Sequence, residues 1–159
     1  AKRPIWNHLG IAISTLYVCF TFFSKNNANH AFEYALQDQK VEYKRFMTAP
    51  TPLNSILWYS VVEAENGYYM GLYSILDEDK NIDFEYFERK DSLIENIKND
   101  RAVDRLIWFS QGYYLVREEP EGLKLYNLIF GKDDLFSPSK KAEADYNVGD
   151  SFIFSFFLV

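Results

Sequence analysis

At 159 residues and 48% hydrophobic, the chain has enough material for one domain with a real core. A net charge of −6, with lysine and arginine scattered along the chain, argues against direct contact with DNA or RNA, whose phosphates call for a basic surface. A lone cysteine, Cys19, excludes an intrachain disulfide; in an apolar stretch without a thiolate-activating neighbour it reads as a small buried or lipid-facing hydrophobe.

The chain opens Ala1-Lys2-Arg3-Pro4 without an initiator Met, and reads as a piece of something longer. Residues 5–24 then contain no Asp, Glu, Lys or Arg. A helix of that length rises about 30 Å, the thickness of a bilayer's hydrocarbon core. It is apolar all round: Leu9, Ile13, Leu16 and Phe20 lie on one side, Ile11, Val18 and Phe22 on another. The length predicts a membrane span; Asn7, His8, Ser14, Thr15 and Thr21 leave a buried core helix as the competing reading. Lys2 and Arg3 favour a cytoplasmic start and a domain on the periplasmic side, a bias that Lys25 partly offsets. Ala28, Ala31, Phe32, Ala35 and Leu36 continue at helical spacing, now with polar residues between them, so the same helix should pack on a sheet at its far end.

From Val41 the period becomes two. Strands are expected at 41–48, 56–65, 68–76, 82–88, 113–119, 123–130 and 151–158. Asn66-Gly67 is a strong hairpin signal, and a two-residue turn there would set Trp58 opposite Ile75, Val61 opposite Leu72 and Ala64 opposite Tyr69. Ser92-Leu93-Ile94-Glu95 has the capping-box pattern, opening a helical segment that runs to a left-handed cap at Gly112, with a break near Asn99-Asp100. Polar residues 131–150 read as a loop. The Phe-rich 151–158 segment, apolar on both faces, should lie inside the sheet with a neighbour on each side. The expected class is α+β: a long N-terminal apolar helix, then a mainly antiparallel sheet of about seven strands, with one further helical segment between strands four and five. Residues 1–25 would be the anchor and 26–159 a single extramembrane domain.

Catalytic chemistry is not legible. His8 and His30 are far apart on one helix and have no metal-binding companion at helical spacing. No phosphate-binding glycine loop or nucleophile elbow occurs. The acid pairs Glu63 with Glu65 and Asp83 with Glu85 could share a strand face for acid–base work, but alternating acids more often form a wet face. The 12 tyrosines suggest either packing or an aromatic binding platform.

The segment from Arg45 to Tyr59 contains Pro50-Thr51-Pro52, then Asn54, then Trp58. Val61-Val62-Glu63 and Tyr68-Tyr69 follow. This pattern resembles the LexA-binding, membrane-bound, metal-dependent hydrolase family of bacterial inner-membrane proteins. Leu9 to Tyr17 looks like that family's last membrane span; Phe109-Ser110-Gln111-Gly112-Tyr113-Tyr114 and Phe152 to Phe156 look like its later landmarks. The resemblance implies the last span and the C-terminal extramembrane domain of such a protein. It also implies a divalent metal held by His- and Asp-containing motifs further upstream, none of which is present here. No cofactor, metal ligand or catalytic residue is therefore carried over, and the piece would be accessory and non-catalytic. Its expected partners are the membrane, through residues 5–24, and the protein's own upstream spans. The alternative is a binding module for a lipid, glycan or protein. Candidate ligand or partner positions are Arg45, Thr51, Asn54, Trp58, Tyr59 and Glu63, around a Pro-Thr-Pro corner whose prolines force extended backbone before them.

Overall fold

The computed structural model describes residues 3–52, 54–77, 81–120, 122–132 and 152–158. Most of the expected 131–150 loop, with Asp133-Asp134, lies outside these residues, as do Leu53 and positions 78–80 ahead of the expected fourth strand.

Helix α1 (Arg3–Asp38) is continuous for 36 residues. Its last turns bury Ser24, Ala28, Ala31, Phe32, Ala35 and Leu36, a stripe recurring every three or four residues. It stops where Lys40 takes a left-handed conformation (φ 53°). There the Val41 N–H donates to Leu36 O at 3.0 Å and the Lys40 N–H to Gln37 O at 3.1 Å, satisfying carbonyls the helix would otherwise orphan.

Strands β1 (Arg45–Pro50), β2 (Leu57–Glu63), β3 (Gly67–Ser74) and β4 (Phe84–Glu88) form a first antiparallel sheet in chain order. Strands β5 (Tyr114–Glu119), β6 (Gly122–Lys132) and β7 (Phe152–Phe157) form a second, also in chain order. The α+β class, the seven strands and the helix between strands four and five are as expected. The strands divide into two sheets, because residues 89–113 carry the chain from one layer to the next without pairing β4 to β5.

The layers follow from alternation along the strands. Trp58, Tyr73 and Ile82 meet α1 on one face of the first sheet. Tyr59, Val61, Tyr68, Met70 and Phe87 point the other way, onto Tyr113, Leu115, Tyr126 and Leu128 of the second sheet. The outer face of that sheet, through Tyr114, Val116 and Leu125, is covered by Ile94 and Val103, with Leu93, Ile97, Leu106 and Ile107 beside them. The order is helix, sheet, sheet, helix.

Four expectations are corrected. The first strand begins at Arg45, not Val41, and ends at Pro50, a residue an outer strand tolerates. The β2–β3 hairpin turns at Glu65-Asn66, so its register is Trp58 with Tyr73 and Val61 with Met70. Gly67 belongs to the strand: a Cβ there would lie 2.3 Å from the Phe87 carbonyl oxygen of β4. The glycine serves strand approach, not a positive φ. Ser92 caps nothing. Asp91–Ile94 is a 3₁₀ turn without a side-chain cap, and helix α2 (Arg101–Phe109) starts at Asp100, whose carboxylate accepts from Ala102 N at 2.7 Å. At its far end the left-handed position is taken by Gln111 (φ 50°) as well as the anticipated Gly112 (φ 79°).

The last correction concerns β7, which pairs with β6 alone among the described residues. Phe157 is half-exposed, with the Lys124 ammonium 5.1 Å from its ring centre. Lys124 lies opposite Phe157 on β6, so the cation shields the ring from the side already paired.

Candidate functional site

Two surfaces invite a functional reading. The first is the N-terminal half of α1. Ile5, Trp6, Leu9, Ile11, Ile13, Leu16, Phe22 and Phe23 are all exposed, as is Cys19. The apolar window of this helix has a mean hydropathy of 1.3 and none of it is buried in the protein. The helix is long and apolar enough to cross a membrane. The competing core-helix packing is not found.

The second is the set of positions singled out around the corner. β1 and β2 pair Arg45 with Glu63 at one end and Pro50 with Trp58 at the other. Five residues of strand separate those ends by about 17 Å, so the six positions fall into distinct groups. Thr51, Asn54 and Trp58 stitch the corner. Thr51 N–H donates to Leu57 O at 2.9 Å, and Asn54 Oδ1 accepts from Ile56 N at 2.7 Å and Leu57 N at 3.3 Å. The buried Trp58 donates its indole N–H to Ser55 O at 3.2 Å. The Tyr17 and Ser55 hydroxyls are 3.2 Å apart, which ties the corner to the helix.

Tyr59 lies between the sheets and donates its hydroxyl to Ile129 O. Burial pushes its hydroxyl up to about 12. Because the neutral phenol is favoured in the folded state, stability is full below pH 10 and is lost as pH rises from there through 12. In alkaline denaturant titrations, Tyr59→Phe should therefore show a shallower loss of stability above pH 10 than the parent chain.

Arg45 and Glu63 belong to a polar clasp joining the two sheets. Arg45 Nε lies 2.6 Å from Glu63 Oε2, and its Nη2 donates to Gln111 O at 3.0 Å. Its guanidinium stacks 4.2 Å over Tyr113, and the hydrogen bond to Glu63 raises its pKa. Arg89 reaches the other Glu63 oxygen at 3.3 Å, Asp91 at 2.8 Å and the Tyr114 hydroxyl at 3.1 Å. Tyr68 donates to Gly112 O at 2.7 Å.

Arg89, Asp91, Tyr68, Tyr113 and Tyr114 were not anticipated. Once Gly67 is seen to pair with Glu88, Arg89 falls in line beyond it beside Glu63; that register was the missing signal. Glu65 sits in the turn, away from Glu63, so this acid pair does not form. His30, thought to lack a companion, has Glu33 at 3.7 Å on an exposed face. Among the described residues no group of three His, Cys, Asp or Glu side chains is placed to hold a metal ion.

An open groove of about 430 Å³ between α2 and β7 is lined by Ala102, Arg105, Leu106, Trp108, Phe109 and Phe156. Comparison with known proteins identifies no relative: no family model, curated protein or solved structure matches the chain.

Proposed function

We propose that the chain is an extramembrane α+β domain carried on a membrane-spanning helix, accessory to catalysis and not itself catalytic. The observation that carries this reading is the division of α1: an exposed apolar half, and a second half that buries one stripe in the domain. An aqueous environment would penalise the first half at roughly 25 cal/mol for each Å² left wet, whereas lipid removes the penalty. The resemblance read from Pro50-Thr51-Pro52, Asn54 and Trp58 supports the C-terminal part of a bacterial inner-membrane, metal-dependent hydrolase, with the domain on the periplasmic side. The clasp is consistent with an accessory role, since Glu63 is engaged by two guanidinium groups and free for neither base nor ligand work.

The intact chain should require detergent for extraction, and a chain starting near Asn26 should be soluble and folded, keeping every core residue from Ala28 onward. Solubility of the intact chain without detergent would overturn the anchor. Hydrolysis of simple esters or phosphoesters by the purified chain, abolished in Glu63→Gln, would overturn the accessory role. A second reading, a binding module for an apolar partner, is favoured by the groove beside Trp108, whose side chain is 79% exposed.

A further inference from the structure

We infer that the groove between α2 and β7 binds a single-chain anionic amphiphile, its carboxylate on Arg105 and its acyl chain along Leu106, Phe109 and Phe156. This rests on the binding-module reading of the groove and names the ligand's chemistry. The groove is one half of a longer trough. A second cavity of about 390 Å³ adjoins it, sharing Ala102 and Leu106 in its walls and reaching Ile97 and Leu158. Together the two follow α2 from Asp100 to Phe109, roughly 13 Å at the rise of a helix. One stripe of the helix supplies the wall, because Ala102, Leu106 and Phe109 recur at intervals of four and three. Such a shape suits an extended chain better than a compact ring.

Polarity and charge choose the ligand. Apart from Arg105, the groove's side chains offer a ligand one polar group, the Trp108 indole N–H. A peptide laid there would bring backbone N–H and C=O groups that this lining cannot answer, whereas an acyl chain brings none. Arg105 is the anomaly. In a chain of net charge −6, Arg45 and Arg89 sit on carboxylates, and Arg117 donates to Glu88 O at 3.0 Å. Arg105 makes no ion pair or hydrogen bond among the described residues, although it stands in the groove's wall. Its guanidinium fork matches the two oxygens of one carboxylate. Arg101, one turn earlier and also exposed, adds a second cation on that side. Asp104 projects about 100° round the helix from Arg105. The trough's other charged residue, Asp100, has a carboxylate that accepts from Ala102 N at 2.7 Å and repels an anion, so the head lands at Arg105.

The test uses the full chain in phosphatidylcholine nanodiscs, photolabelled with dodecanoate carrying a diazirine midway along its chain, and with the matching alcohol. Peptide mapping locates the tags. Both probes should tag residues 5–24 through the bilayer, which serves as the reference. The expected result is tagging around Leu106, Phe109 and Phe156 by the carboxylate probe, saturable and displaced by plain dodecanoate. In Arg105→Gln, a change at an exposed position, that tagging should fall about tenfold, to the level given by the alcohol. Equal groove tagging by acid and alcohol, unmoved by Arg105→Gln, overturns the anionic ligand and leaves the apolar binding site standing. Tags confined to residues 5–24 overturn both. Groove tags that vanish as the chain dimerises with rising concentration place a second copy there, and also overturn the proposal.

Discussion

Phe32→Ala should lower the unfolding free energy of the domain by about 3–5 kcal/mol, the usual cost of emptying a large buried aromatic site. Phe32 is fully buried where α1 crosses the first sheet. Its ring meets Tyr73 edge-on at 6.1 Å and Phe84 at 6.4 Å, so truncation removes two ring contacts as well as buried area. The cavity cannot readily close. Ala28, Ala31 and Ala35 already bring the helix close to the sheet, and a Cβ at Gly71 would lie 2.8 Å from Ile82, leaving no slack below. The midpoint of urea unfolding in mild detergent should fall accordingly, with an unchanged slope. A loss below 1 kcal/mol would mean that α1 is not docked as described.

Glu63→Gln is expected to cost about 1.5–3 kcal/mol, the range for a hydrogen bond to a charged group. The carboxylate is largely sheltered, with 12% of its side chain exposed, and it accepts from guanidinium groups on two different segments. Arg89 suffers more than Arg45, because its side chain is 24% exposed against 48%. An exposed pair would contribute far less. Chemical denaturation of Glu63→Gln beside Arg45→Gln and the double variant gives the coupling directly. Additive losses would show that the 2.6 Å contact carries no energy of its own.

How much of this was legible follows from which signals are local. The change in α1 from all-round apolar to one buried stripe is a matter of spacing along one helix, and it reads off the sequence. The helical segment between strands four and five was legible for the same reason. Asn66-Gly67 misled because a glycine answers equally to a turn and to a close backbone approach, and only the position of β4 decides between them. That one-residue ambiguity moved every cross-strand pair in the hairpin and hid the Glu63–Arg89 contact. Two neighbours were expected for β7 because two apolar faces imply a covered strand; among the described residues it has β6 alone, and the Lys124 ammonium over Phe157 leaves no trace in strand periodicity. Among the candidate positions, Trp58 and Asn54 lie in the corner itself, while Arg45 and Glu63 depend on contacts with residues far along the chain, where local patterns carry no information.

Because each sheet keeps its strands in chain order, their assembly can follow synthesis. Everything the first sheet needs lies between residues 45 and 88, and everything the second needs lies between 114 and 157. Each strand pairs with the one made just before it, so in the first sheet loop closures are short and contact order is low. A nascent chain emerging from the ribosome can complete α1 and the first sheet before α2 exists, hiding Phe32 and Trp58 early. The Arg45 and Arg89 contacts to Gln111 and Tyr114 bridge the two halves and must wait until the second has emerged. Their loss should slow the final docking of two preformed halves and leave the earlier steps untouched.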